Sequence, residues 1–103
     1  MTSEEISQLI DSDIASNRET LSWFGRPLAE CRLTPILLEF TDSFNNDDPI
    51  MLWLVFEEDP ISKQGYKIVY SEDANEFGLA VQGEKAGVLI GIYGSFVDTL
   101  NAM

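Results

Sequence analysis

The first hydrophobic pattern of the chain is helical. Apolar side chains recur every three or four positions within residues 6–14, with acidic and polar residues between them. This spacing places the apolar side chains on one face of an α-helix. Thr2 and Glu5 have the spacing of a capping box, in which each residue satisfies a backbone N–H of the other. The pattern therefore predicts an amphipathic helix that begins near Thr2 and ends near Asn17.

Two long apolar segments predict strands. The first is CRLTPILLEFTD, residues 31–42, and the second is IMLWLVFE, residues 50–57. Pro35 cannot donate a hydrogen bond to a strand ladder, so it predicts a sheet edge or a bulge in the first segment. The second segment is apolar without alternation, which is typical of a strand covered on both faces or nearly so. The sequence NNDDP between them predicts a turn.

Shorter segments predict two further strands. YKIVYSE alternates, so Tyr66, Ile68 and Tyr70 should share one face of a strand. FGLAVQ predicts the next strand. Turn-forming sequences, PISKQG, EDANE and GEKAG, separate these segments from their neighbours. The segment RETLSWFGRPL, residues 18–28, is compatible with either a short helix or a turn.

The last segment, VLIGIYGSFVDTLNAM, is predicted to form a strand followed by a helix. A single helix would hold Gly91 and Gly94 in its interior, at a cost of about 1 kcal/mol each relative to Ala. A strand through Tyr93 avoids that cost, and Ser95 followed by Asp98 then provides a helix start.

These elements together predict one compact domain that spans residues 1–103. The expected fold class is α+β, with an N-terminal helix, about five short and mostly antiparallel strands, and a C-terminal helix. We expect the helices to cover one face or one end of the sheet.

The chain is strongly acidic. Eighteen Asp and Glu residues against six Lys and Arg give a formal net charge of -12, and the acids are spread along the chain. Such a field repels phosphate backbones and anionic membrane surfaces, so we expect neither nucleic-acid nor membrane binding. It attracts a basic protein partner, although acidity also serves solubility alone.

The cysteine content and the N-terminal sequence predict a cytoplasmic protein. The single cysteine, Cys31, cannot form an internal disulfide, so no oxidising compartment is needed. The opening MTSEEISQLI has no basic region or long apolar stretch of the kind found in signal peptides. No apolar run reaches the length of a membrane span.

Catalytic chemistry has little support in the sequence. Histidine is absent, which removes the commonest general base and metal ligand. Cys31 and Arg32 are neighbours on a predicted strand and point to opposite faces, so Arg32 should not activate the thiol. Gly87, Gly91 and Gly94 match no phosphate-binding loop, and we interpret the last two as a strand bend and a helix start. We predict no enzymatic activity and no cofactor.

The acidic turn DSFNNDDP suggests calcium, since hard cations prefer oxygen ligands. Aligned with an EF-hand loop, however, Phe44, Asp47 and Trp53 fall where a ligand, a glycine and a bidentate Glu are required. The comparison rejects an EF-hand. A looser oxygen site among Asp42, Asp47 and Asp48 stays open as an alternative, and no metal is predicted.

The remaining candidate site is a protein-binding surface. We expect Trp53 and Phe56 to fill the core, and Phe44 and Tyr70 to be exposed aromatic anchors of the kind that dominate interfaces. The acids that flank the apolar run both end a buried strand and contribute to an acidic rim. The predicted partner-binding residues are Asp42, Phe44, Asp47, Asp48, Glu57, Glu58, Asp59, Tyr70, Glu72 and Asp73.

The sequence supports two classes of function. The first is an acidic protein-binding module, such as an inhibitor or immunity protein that neutralises a basic partner, with an acidic secretion chaperone as a close variant. The chaperone would need an exposed apolar groove, to which the N-terminal helix could contribute. The second is a small-ligand or metal-binding domain that uses the acidic turns. Oligomeric state is left open, including a dimer through the strand that contains Pro35.

Overall fold

The structure is a computed structural model that describes residues 1–17, 31–59, 61–62, 65–83 and 87–102. Its elements follow the predicted order of a helix, five strands and a helix. They are α1 (Ser3–Ser16), β1 (Arg32–Asp42), β2 (Asp48–Glu57), β3 (Tyr66–Ser71), β4 (Glu76–Gln82), β5 (Gly87–Gly94) and α2 (Phe96–Asn101). The prediction for residues 18–28 and parts of two predicted turns lie outside the described residues.

Helix α1 confirms its predicted start and end. The Thr2 hydroxyl accepts a hydrogen bond from the Glu5 backbone N–H at 3.2 Å, and the Glu5 carboxylate accepts one from the Thr2 N–H at 3.0 Å. Both halves of the capping box are thus formed. Asn17 is the C-cap residue, and Ile6 and Ile10 are buried on the inward face of the helix.

The five strands close into a barrel. Consecutive strands pair antiparallel from β1 to β5, as the short turns require. Closure comes from a short parallel pairing in which residues 40–42 of β1 lie beside residues 87–89 of β5. The prediction of a mostly antiparallel sheet is confirmed. The parallel seam and the closure were not predicted, because the first and last strands meet only in the tertiary fold.

Two separate cores lie on the two faces of the barrel wall. Every strand contributes to the first, which therefore lies inside the barrel; its members are Phe40, Leu52, Leu54, Val69, Ala80 and Leu89. The second lies between the outer wall and the two helices. This outer core consists of Ile6, Ile10, Cys31, Val55, Phe56, Ile68, Tyr70, Phe77, Leu79, Phe96, Val97 and Leu100. Both helices lie on this one side and contact each other.

A glycine makes the parallel seam possible. Gly87 pairs with Phe40, and a Cβ atom at Gly87 would lie 2.5 Å from the Phe40 ring. That separation is far below van der Waals contact, so only glycine lets the ring pack across the seam. The closure of the barrel thus depends on a residue with no side chain of its own.

Some of the irregularities in the strands fall where proline and glycine predicted them. The β1–β2 register shifts between Arg32 and Ile36, on either side of Pro35. The β4–β5 register shifts at Gly91, which confirms the predicted bend. Gly94 has a φ of +93° and turns the chain into α2, whose N-cap Ser95 accepts a hydrogen bond from the Asp98 N–H. The predicted strand-then-helix arrangement is confirmed.

Candidate functional site

The β1–β2 hairpin projects beyond the end of β3. Strand β2 pairs with β1 from Asp48 onward, but it pairs with β3 only from Trp53 onward. The part of β2 before Trp53 therefore has a described neighbour on one side only. Its outer face is open, and Met51 is 54% exposed. Leu37, which pairs with Trp53 from the neighbouring strand, is 44% exposed.

A groove lies at the base of this projecting hairpin, and we call it the hairpin groove. It has a volume of about 140 Å³ and is lined by Leu37, Met51, Trp53, Glu72 and Asp73. Apolar side chains from β1 and β2 form its floor, and the two acids of the β3–β4 turn stand at its rim. Such a groove can take one long side chain with an apolar stem and a positive head.

Glu72 is already placed to bind a cation. Its Oε1 atom accepts a hydrogen bond from the Trp53 indole N–H at 3.1 Å and lies 2.9 Å from the Met1 ammonium nitrogen. The hydrogen bond from the ammonium group, and after it the one from the indole, lower the pKa of the Glu72 carboxyl. The same ion pair raises the pKa of the Met1 amine. Glu72 is therefore held ionised at the rim of the groove.

The acids predicted to bind a partner divide between the two ends of the barrel. In an antiparallel meander the first and third turns lie at the same end. Asp42, Asp47 and Asp48 at the β1–β2 turn therefore lie at the same end as the turn that carries Glu72 and Asp73. The third predicted group, Glu57, Glu58 and Asp59, follows the opposite end of β2. The three groups therefore do not lie together at one end of the barrel.

Tyr70 is not an exposed anchor, and this prediction is wrong. Its side chain is 1% exposed, and its ring packs against Phe77 with the ring centres 4.7 Å apart. Its hydroxyl donates a hydrogen bond to Asn75 Oδ1 at 2.5 Å. The alternation of β3 was read correctly, but the face that carries Tyr70 is covered by the helices. Burial raises the pKa of the Tyr70 hydroxyl above its ordinary value of 10.0, and the charge of Glu72 adds to the effect.

Glu57 is also unavailable to a partner, which corrects a second prediction. It is buried inside one end of the barrel, where its Oε2 atom lies 3.1 Å from Lys67 Nζ. The two residues are direct neighbours across β2 and β3. A register shift in β2 just before Glu57 turns this acid to the inner face, on the same side as Lys67.

The neighbouring acids hold turns together. Glu58 Oε1 accepts a hydrogen bond from the Tyr66 N–H at 3.0 Å. Asp59 accepts from the backbone N–H groups of Ile61 and Ser62 and from the Ser62 hydroxyl. Both carboxylates are half-buried and engaged in organising the β2–β3 connection. Whether either also contacts a partner stays a prediction.

The β1–β2 turn keeps its predicted character. Asn46 and Asp47 have left-handed φ values of 55° and 58°, and Asp42 Oδ1 accepts a hydrogen bond from the Phe44 N–H at 3.0 Å. Phe44 is 68% exposed, so its predicted exposure is confirmed. Among the described residues, the Asp47, Asp48 and Asp73 side chains form no hydrogen bond or ion pair. These three acids are free to meet a partner.

The sequence reading missed Leu37 and Met51 as candidate site residues. The run that contains Met51 predicts a strand covered on both faces or nearly so, and the run that contains Leu37 predicts a strand with an edge or a bulge at Pro35. A signal was present, because two adjacent runs that are apolar on both faces need more cover than two short helices provide. Trp53 was assigned to the core and is half-buried at its margin, so that assignment is correct only in part.

The structure gives no support for a reactive cysteine or a metal site among the described residues. Cys31 is buried, and its thiol lies 3.6 Å from the Glu58 carbonyl oxygen, as expected of a structural cysteine. Arg32 turns away from it to form an ion pair with Asp11. Across the described ranges, no three Cys, Asp or Glu residues cluster so as to hold a metal ion. Neither described helix is long and apolar enough to cross a membrane.

Comparison with known proteins identifies no relative. No protein-family model matches the chain, and no curated protein or solved structure is significantly similar to it.

Proposed function

We propose that this protein is a binding module for a basic protein partner, in the manner of an inhibitor or immunity protein, and that the partner docks at the hairpin groove. The observation that carries the proposal is the groove itself, in which exposed Leu37, Met51 and half-buried Trp53 adjoin the Glu72 and Asp73 carboxylates. Apolar anchors within a charged rim are the usual arrangement of a protein interface.

The composition of the groove matches a lysine or arginine side chain. Its methylene stem would lie along Leu37 and Met51, and its charged head would reach Glu72 and Asp73. Methionine adapts to varied surfaces because it is unbranched and polarizable. Trp53 adds a ring that attracts cations. The ion pair between Glu72 and the Met1 ammonium supports this assignment, since it places a positive group at the same carboxylate.

The distribution of charge favours a basic partner. The net charge of -12 draws such a protein towards the surface and raises its rate of association. The described basic side chains, Arg32 and Lys67, are each engaged with an acid of this chain. At the groove end of the barrel, Asp47, Asp48 and Asp73 are uncompensated and provide the local part of this attraction.

A secretion-type chaperone is the second candidate, and one observation favours it. Three consecutive apolar residues of β1, Ile36, Leu37 and Leu38, are all substantially exposed, which suits a protein that shields an apolar segment of another. Helix α1 was expected to help form the groove for this role. Its apolar residues Ile6 and Ile10 are buried in the outer core, whereas Leu9 is 36% exposed.

The proposal is tested by capturing proteins from the source lysate at low and high salt with the tagged protein and three variants. Asp73→Lys and Met51→Asp alter the groove, whereas Asp98→Lys changes the charge as much as Asp73→Lys does, but at an exposed position of α2. We expect a basic protein to be retained at low salt by the wild type and Asp98→Lys and lost with the two groove variants. Retention that is the same for all four proteins, or no retention at all, would contradict the proposal.

A further inference from the structure

One side of β1 has no partner strand over part of its length. Strand β1 pairs with β2 throughout residues 36–42, but it pairs with β5 only at residues 40–42. Among the residues that the structure describes, none pairs with the second side of residues 36–39, which we call the β1 edge. In a ladder every second residue directs its N–H and C=O groups away from the existing partner. Within the described ranges of the chain, the β1 edge therefore presents backbone groups without a strand partner.

The side chains of the β1 edge are unusually apolar for an exposed edge. Ile36, Leu37 and Leu38 are 51%, 44% and 39% exposed. By their pairing in β2, Ile36 and Leu38 share the inner face with the barrel core, whereas Leu37 faces outward to the hairpin groove. Proteins usually protect such edges with charges or proline. Here Pro35 and Glu39 flank the apolar residues and leave them open.

We propose that the β1 edge binds an extended segment of a basic protein partner, which joins the barrel as an additional strand beside residues 36–39. This inference rests on the proposed function and names the form in which the partner is bound. Strand addition satisfies the unpaired backbone groups, and alternate side chains of the added strand cover the two faces of the edge. A side chain of the added strand that points to the outer face of the barrel would lie next to Leu37 and could enter the hairpin groove.

Charge argues against a second copy of this chain as the occupant. Pairing two β1 edges would join two molecules that each carry a net charge of -12. The described cations that could offset this repulsion, Arg32 and Lys67, already pair with Asp11 and Glu57. A segment with Lys or Arg beside its apolar residues meets Glu39 favourably instead.

The two ends of the β1 edge limit the length of the added strand. Strand β5 occupies the position beside Phe40, and Pro35 at the other end cannot donate a hydrogen bond. The Pro35 carbonyl is engaged by the Ser3 hydroxyl at 3.0 Å, so the N-terminus of α1 also lies there. The bound segment is therefore short, with a few apolar residues between basic ones.

The direct test uses the peptide acetyl-Lys-Val-Ile-Val-Lys-amide as a probe and measures amide hydrogen exchange at residues 36–39 by NMR. We expect about a tenfold or greater slowing of exchange at alternate residues of the edge with saturating peptide. A peptide of the same sequence that is N-methylated at alternate positions cannot complete the ladder and should give no protection. The inference is overturned if neither peptide slows exchange at the edge, or if both do so equally.

A second test separates this inference from the proposed function. Leu38→Lys places a protective charge on the β1 edge without touching the residues that line the groove, and circular dichroism verifies its fold. We expect this variant to lose the basic protein captured from lysate, as Asp73→Lys does. If Leu38→Lys retains the partner and Asp73→Lys loses it, strand addition is wrong and the groove proposal stands. If both retain it, both proposals are wrong.

Discussion

Both halves of β2 contain outward-facing apolar residues, but these residues have different environments in the two halves. Val55 and Phe56, in the second half, are fully buried, whereas Met51, in the first half, is more than half exposed. The second half lies between β1 and β3 and beneath the helices; the first half belongs to the projecting hairpin. The same kind of residue thus builds a core in one place and a candidate binding surface in the other. Within the described part of the chain, the difference is that β3 and the helices pack over the second half of β2 and not over the first half.

The largest effect should come from removing a ring on the covered half. Phe56→Ala leaves a cavity between β2 and α2, where Phe56 meets Phe96 with ring centres 6.1 Å apart. We expect a loss of about 3–5 kcal/mol in the free energy of unfolding, measured by urea denaturation. Met51→Ala on the open half is the matched control and should change stability by no more than about 0.5 kcal/mol. Equal losses in the two variants would refute the contrast between the halves.

The buried ion pair at the end of the covered half should have the next largest effect. Lys67→Met removes the ammonium group 3.1 Å from the Glu57 carboxylate inside the barrel. We expect a loss of about 3 kcal/mol, because a buried charge without its partner is costly. The double variant Glu57→Leu with Lys67→Met removes both charges and should lose less. A double variant that is less stable than Lys67→Met alone would contradict this account of the pair.

The parallel pairing between β1 and β5 can be tested by comparing the stability of a single and a double variant. Gly87→Ala places a Cβ atom 2.5 Å from the Phe40 ring, so the ring or the strands must move. We expect a loss of about 1–3 kcal/mol, as for other overpacked sites. Combining Phe40→Leu with Gly87→Ala should recover part of the lost stability, because the smaller leucine leaves space for the added Cβ atom. Denaturation of the single and double variants checks both expectations, and an unchanged Gly87→Ala variant would mean that the seam is loose.

The smallest expected effect is a pH dependence from Tyr70 on the covered side. Its pKa is raised above 10.0 in the folded protein, so the folded state holds this proton more tightly than the unfolded state. Stability must therefore fall as the pH rises past the ordinary tyrosine value. Urea denaturation at about pH 8 and about pH 11 should show a larger loss for the wild type than for Tyr70→Phe. If the wild type and Tyr70→Phe lose the same stability, Tyr70 does not contribute to the pH dependence of the free energy of unfolding.

Local features were predictable from local residues. The capping box of Thr2 and Glu5 fixed the start of α1, and Ser95 with Asp98 fixed that of α2. Pro35 marked the irregularity in β1. Each of these signals acts within a few residues, through backbone hydrogen bonds or a fixed dihedral angle. The local sequence is therefore sufficient to predict these features.

The candidate site was less predictable, and the errors have one cause. Alternation placed Tyr70 on the same face as Ile68, but it did not tell which face the helices cover. The apolar run around Met51 predicted a strand covered on both faces, but the pairing of β3 with β2 stops at Trp53 and does not extend to Met51. Glu57 was read as a solvated strand end, but a register shift turns it inward to Lys67.

The sequence by itself determined the order of helices and strands, the capped helix starts, the turns and the strongly acidic charge, because periodicity, capping residues and composition act locally or sum over the chain. Only the tertiary structure decided that β1 meets β5, that two acidic turns share one end of the barrel, and that Leu37 and Met51 stay exposed. These features depend on contacts between residues far apart in sequence. Burial is a property of what packs over a residue, so apolar letters alone cannot separate a core from a binding surface.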